Sequence, residues 1–153
     1  MSLYFQAGLL LFVYTHLCFF ISLFLKRNDI ADIAWGLGFV ITSWFTFFAS
    51  TMENTRGLIA CLLVTIWGLR LSWHIFLRNR NKGEDYRYAQ WRKDWGKWFL
   101  IRSYFQVYIL QGIFLYTVVF PVVYINKNVT VGLTLLDALG IIVWVIGFIF
   151  ESV

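Results

Sequence analysis

The sequence predicts an all-α fold: a polytopic membrane helix bundle with about five transmembrane helices and one short interfacial helix. Three observations predict it. First, of 153 residues 60% are hydrophobic and only 14% charged, more apolar surface than a soluble domain of this size can bury. Second, five apolar stretches each approach the roughly 20 residues that a helix rising 1.5 Å per residue needs to cross a bilayer core. Third, lipid cannot hydrogen-bond a free backbone group, so each crossing must satisfy its own amides as a helix. The expected spans are 3–25, 33–50, 57–77, 105–125 and 135–153, within one transmembrane domain over 1–153, and a basic loop runs from 78 to 104.

The first stretch has no basic residue ahead of it and no small-x-small cleavage pattern behind it, so it is expected to stay as an anchor. Lys26 and Arg27 follow it. The second is entered through RNDIADIAWG, where Asp29 suits a helix N-cap. Asp32, nearer the apolar run, is then free to pair with Arg70 or to act as an acid or base. The third carries Arg70, His74 and Arg78 at four-residue spacing, one helical turn apart. Arg70 sits roughly two turns inside the boundary, where a charge costs about 2.5–3.5 kcal/mol on insertion scales. It needs a partner, either an acid on a neighbouring helix or a ligand. In the fourth, Gln106 and Gln111 can hydrogen-bond to a neighbouring helix or to a ligand. The fifth opens on Thr134-Leu-Leu-Asp137, a capping box. Ahead of it, Asn128-Val-Thr130 matches a glycosylation acceptor.

Ten Lys and Arg residues fall in the first and third connections against two in the second and fourth. The positive-inside rule therefore puts the N-terminus outside and the third connection in the cytoplasm. That connection holds eight bases and three acids (Glu84, Asp85, Asp94), a net charge equal to the +5 of the whole chain. An anionic partner is expected there, a membrane lipid headgroup or a phosphorylated cofactor rather than nucleic acid. Within it, RNKGEDYRY sets bases suited to a pyrophosphate beside acids suited to ribose hydroxyls, without the glycine fingerprint of a Rossmann site. Tyr88, Trp91, Trp95 and Trp98 follow at helical spacing, with Arg92, Lys93 and Lys97 turned away. An interfacial helix weakened by Gly96 is the expected cause, and stacking of an adenine is the alternative. Cys18 and Cys61 lie inside spans, and their spacing supports neither a disulfide nor a metal site.

DIADIAWG (29–36), WGLRLSWHIFLRNRNKGEDYRY (67–88), Gln111 with Pro121, and a last helix ending in Glu151 resemble the membrane family of unassigned function related to steroid 5α-reductases. The similarity covers essentially the whole chain. It implies a helical membrane oxidoreductase that takes hydride from NADPH and reduces a carbon–carbon double bond conjugated to a carbonyl. The substrate would be an apolar small molecule, lipid or steroid-like. On that basis Arg70, His74, Arg78, Glu84, Asp85, Arg87, Tyr88 and Glu151 become cofactor-binding candidates, and Asp32, Trp35 and Trp67 active-site candidates. Trp67 stands where steroid reductases carry a tyrosine, and its indole can donate a hydrogen bond but cannot supply a proton. The resemblance further implies an Asp-x-Gln element after the glutamate and then an Arg-His-Pro-x-Tyr motif. The 153 residues are accordingly expected to be the N-terminal part of a longer domain, inactive or impaired alone.

Two other functions fit the same sequence. A membrane methyltransferase of the isoprenylcysteine type would prefer S-adenosylmethionine to NADPH. A non-enzymatic lipid-binding protein would use Arg87 and Arg92 equally, whereas a cofactor site would lean on Arg70 and Arg87. The expected location is an integral membrane, a bacterial inner membrane ahead of the endoplasmic reticulum.

Overall fold

A computed structural model of the chain describes residues 1–50, 54–80, 82–128 and 132–152. Helix α1 (Leu3–Leu25) turns at Lys26, whose left-handed backbone (φ 54°) lets its amide reach back to Ser22 and Leu23. Helices α2 (Ile30–Ala49) and α3 (Thr55–Asn79) follow. Then α4 (Tyr86–Trp95), a 3₁₀ turn (Gly96–Trp98), α5 (Phe99–Ser103), a π-helical segment (Tyr104–Ile109) and α6 (Leu110–Lys127) form one long helical run. Helix α7 (Leu135–Ser152) ends the described fold. Among the described residues there is no strand, and α1, α2, α3, the run through α6, and α7 are each long and apolar enough to cross a membrane.

The expected elements are present, with shifted ends. Span two begins at Ile30 and span three at Thr55, because Asn54 caps α3 by accepting from Gly57 N at 2.9 Å. Span four is the end of a helical run that begins at Tyr86, and α4 is the expected interfacial helix, stopped at Gly96, where φ is +47°. Asp137 accepts from Thr134 N at 2.6 Å, one half of the expected capping box, while the Thr134 hydroxyl donates to the same carboxylate at 2.9 Å. Val129 and Thr130 of the glycosylation pattern lie outside the described residues.

Glycines set the closest packing. A Cβ at Gly36 would lie 2.4 Å from the Gly68 carbonyl oxygen, so α2 and α3 meet backbone to backbone. Ser72 Oγ uses that closeness to donate to the Ile33 carbonyl at 2.8 Å. The core then closes with Ala7 and Leu11 of α1, Phe39 of α2, and Leu115, Val119 and Val123 of α6. At the end of the bundle away from the basic loop, buried Asn126 donates to Ser43 O (3.1 Å) and Thr46 Oγ1 (2.9 Å), while Asn54 Nδ2 donates to Ile125 O at 2.6 Å.

Helix α7 has no buried residue among those described. Two ion pairs tie it to α3: Arg56–Asp137 at 2.6 Å and Arg70–Glu151 at 3.5 Å. Arg70 Nη2 also donates to the Glu151 carbonyl (2.8 Å), and Trp67 Nε1 to its carboxylate (2.7 Å). Arg70 thus finds an acid on a neighbouring helix. Of the two roles open to Asp32, pairing with Arg70 is not the one seen: its carboxylate accepts from Arg87 and Tyr88 instead.

Candidate functional site

Four-residue spacing is not strictly one-faced. Each step of four advances about 40° beyond a full turn at 3.6 residues per turn, so Arg78 is rotated roughly 80° from Arg70. Arg78 therefore shares a face with Leu71 and Ile75. These three residues form one wall of a cleft of about 430 Å³, completed by Asp32 and Trp35 from α2, Arg87 from α4 and Gln111 from α6.

Asp32 organises the polar side. Its carboxylate accepts from Arg87 Nη2 and from Tyr88 Oη, both at 2.8 Å. Asp85 caps α4 by accepting from Arg87 N at 3.0 Å, receives Arg87 Nε at 3.0 Å, and lies 3.7 Å from Arg78 Nη2. The Arg87 guanidinium holds the Asp85 carboxyl below its ordinary value. Arg78 and Arg87 remain 46% and 45% exposed, so both retain N–H groups for an incoming ligand. Trp35 and Gln111 are different. Among the described residues neither the indole N–H nor the amide makes any hydrogen bond, although both border the cleft. Polar groups left unmatched in an apolar bundle are costly unless something else meets them.

Below the cleft the basic loop is pinned by a second cluster. Asp29, 1% exposed, accepts from Arg27 Nη2 (2.7 Å) and Asn79 Nδ2 (3.1 Å). It makes no side-chain cap bond to α2, contrary to the expected N-cap role: its backbone is helical (φ −65°, ψ −7°) rather than extended, and its carboxylate is turned to Arg27 and Asn79. Arg27 also donates to the carbonyls of Asn79 and Gly83. Glu84 accepts from Asn28 N (2.8 Å) and from Arg92 (2.8 and 3.1 Å). This cluster ties Asn79, Gly83 and Glu84 to the start of α2, just ahead of Arg87 and Tyr88.

The structure therefore divides the sequence-derived candidates. Asp32, Trp35, Arg78 and Arg87 line the cleft, and Tyr88 and Asp85 support it from behind. Glu84 faces the loop-pinning cluster, Arg70 and Trp67 face Glu151 on α7, and His74 is exposed with no hydrogen bond among the described residues. Leu71 and Ile75 were not singled out, though the 40° drift would have found them. The aromatic row is Tyr88–Trp91–Trp95–Phe99, with centroids 5.3, 5.2 and 6.0 Å apart. Of the bases expected to turn away from the aromatics, Arg92 instead lies over Phe99 at 4.1 Å and Lys97 over Trp98 at 5.9 Å, and Arg102 adds a third contact over Trp95 at 5.9 Å. Cys18 and Cys61 are buried free thiols.

The family described as "Protein of unknown function (DUF1295)" matches the chain over residues 18–153. No curated protein and no solved structure matches it.

Proposed function

The chain belongs to the DUF1295 family, a family of unknown function, and from that premise we propose that it is a membrane oxidoreductase of the steroid 5α-reductase type, which uses NADPH to reduce the double bond of an apolar enone. The observation that carries this reading is the cleft's split character. Two partly exposed guanidiniums stand on one side, and two donors without protein partners, Trp35 and Gln111, stand beside the apolar wall of Leu71 and Ile75.

The residues present fit the charged part of the cofactor. Arg78 and Arg87 would hold phosphates, with the exposed Arg80 and Lys82 beyond them. Each Asp32 oxygen, already accepting one bond, has a lone pair left for a ribose hydroxyl. The volume of about 430 Å³ lies within the ordinary range for ligand pockets. When bound, NADPH supplies the hydride. The chain's own residues do the rest: the aliphatic wall orients the enone, and the Trp35 and Gln111 N–H groups face the carbonyl oxygen that gains charge. Both donors sit on packed helices, which keeps them in place before the reaction. In this reading the basic loop faces the cytoplasm and its soluble NADPH, with the N-terminus outside.

The test is nucleotide binding by the whole chain in lipid nanodiscs, followed by NADPH fluorescence. Wild type is expected to bind, and Arg78→Ala and Arg87→Ala each to weaken binding about tenfold or more, the loss of a charge-assisted contact. Displacement of NADPH by S-adenosylmethionine would turn the reading to a methyltransferase. Absence of nucleotide binding, with anionic lipid retained equally through Arg87 and Arg92, would turn it to a lipid-binding protein.

A further inference from the structure

Helix α1 runs antiparallel to the helical run through α5 and α6, since Tyr116 meets Tyr4 at one end and Tyr104 meets His16 further along. The seam between them is hollow on its outward side. Near the basic-loop end lies a space of about 490 Å³, walled by Phe19, Phe20 and Leu23 on α1 and by Leu100, Ile101 and Phe105 opposite. A second hollow of about 230 Å³ follows on the same seam, beside Gly8 and Gly112.

The walls suit an alkyl chain. Phe20 and Phe105 are 62% and 58% exposed, so the hollow opens to the apolar surroundings of the bundle. The polar pair in the wall is already satisfied. His16 Nδ1 faces the Phe12 carbonyl at 2.6 Å and so carries the proton, which leaves Nε2 to accept from Tyr104 Oη at 2.6 Å. From Leu23 to Gly8 the seam follows fifteen residues of α1, about 22 Å of helix. One leaflet is about 15 Å deep, half of a 30 Å core, so the seam can take an acyl chain through it.

The open end of the seam is basic. Lys26 stands one turn beyond Leu23, and Lys97 one turn ahead of Leu100. Arg27, Arg78, Arg87 and Arg92 each face a carboxylate. Lys26 and Lys97 face none: among the described residues neither ammonium makes a hydrogen bond or ion pair, and Lys97 rests only over the Trp98 ring. Trp98 is 54% exposed, as an aromatic at headgroup depth is.

We propose that this seam holds one anionic phospholipid of the leaflet on the basic-loop side, its phosphate at Lys26 and Lys97 and an acyl chain along the hollow. Charge and shape choose the occupant together. A zwitterionic lipid offers the same chain but brings a cation to two ammonium groups, and a soluble anion would leave the hollow unfilled. No residue lines both this seam and the cleft, so the lipid site stands apart from the function proposed above.

The test is native mass spectrometry of the whole chain in detergent micelles carrying equal amounts of dioleoyl phosphatidylglycerol and dioleoyl phosphatidylcholine. Wild type is expected to retain one phosphatidylglycerol with a preference of about tenfold, and Lys26→Gln and Lys97→Gln each to cut that preference about three- to fivefold, the contribution of one lysine near a charged membrane surface. Lys82→Gln and Lys93→Gln remove the same charge from the same loop and should leave the preference unchanged. Leu23→Trp, which fills the hollow, should lower retention of phosphatidylglycerol with both lysines in place. A wild-type preference near one overturns the site, as does an equal loss in the Lys82 and Lys93 variants, which would make the attraction a property of the whole loop. Full retention in a folded Leu23→Trp variant overturns the acyl seat. The lysine variants lie at exposed positions and keep the test open if Leu23→Trp fails to fold.

Discussion

Replacing Gly36 by alanine adds one methyl group at the point where α2 and α3 touch. That Cβ would lie 2.4 Å from the Gly68 carbonyl oxygen and 2.5 Å from Ser72 Oγ. Ordinary van der Waals contact begins near 3.4 Å, so the helices must part by roughly 1 Å along that direction. A carbonyl fixed in a helix cannot rotate aside as a side chain can, and overpacking of this kind costs about 1–3 kcal/mol. Separation also stretches the Ser72–Ile33 bond of 2.8 Å, a loss of about 0.5–1.5 kcal/mol. Against this stands the intrinsic preference of a helix for alanine over glycine, about 0.8–1.0 kcal/mol. The net expectation for Gly36→Ala is a destabilisation of about 0.5–3.5 kcal/mol, the packing and hydrogen-bond costs outweighing the propensity gain. Gly147→Ala in α7 is the control, because a Cβ there meets nothing within 4 Å and only the propensity gain applies. The assay is unfolding in mixed micelles followed by circular dichroism. If Gly36→Ala stabilises as much as Gly147→Ala, the backbone contact between α2 and α3 does not exist and the cleft between them is misplaced.

Arg27→Ala strands the carboxylate of Asp29, which is 1% exposed, and should destabilise by about 3–5 kcal/mol, the cost of leaving one partner of a buried pair; Asp29→Asn, which removes the charge and not the shape, should cost clearly less in the same unfolding assay. Reversing one charge of the Arg70–Glu151 pair should loosen α7, seen as faster proteolysis of its end, and Arg70→Glu with Glu151→Arg together should recover part of the loss. Asp85 has a depressed folded-state pKa, so its contribution is fully present above its ordinary value of 3.8 and disappears as pH falls through the lower folded value. Unfolding temperatures measured from pH 7 to pH 3 should therefore decline more in wild type than in Asp85→Asn.

The fold was legible because lipid leaves few choices. Apolar runs of helix-crossing length admit one secondary structure, and stops between them were marked by Lys26-Arg27 and Thr134, whereas the Asn54 cap of α3 came only with the structure. Gly96, expected only to weaken α4, ends it through a backbone conformation that few other residues tolerate. The site was legible only in part. Asp32, Trp35, Arg78 and Arg87 converge, but Arg70 and His74 do not join them, since a whole-turn approximation hides 40° of rotation per step. The partner of Arg70 was unreadable from its own neighbourhood, as it lies on α7, 81 residues away. A longer-range pattern does point to it: Arg56 and Arg70 are fourteen residues apart, and so are Asp137 and Glu151. Two heptads separate the charges on both helices, so parallel helices in register can close both pairs at once.

The charges around the cleft also cancel, and that bears on how it can work. Arg78 and Arg87 are opposed by Asp32 and Asp85, a balance that lets the site exist in an apolar bundle without a ligand. An anion entering it cannot gain from a standing positive charge. It must share the guanidinium N–H groups that the carboxylates leave open, or draw in Arg80 and Lys82 from the adjoining loop. Of the two acids, Asp85 caps α4 from the loop, while Asp32 sits within α2 and is held by Tyr88. Ligand charge is thus coupled to the position of the loop, and the loop in turn is anchored by Arg27 to Asp29 and to the carbonyls of Asn79 and Gly83. The cluster without a direct part in the cleft is the one that determines how far the cleft's own charges can move.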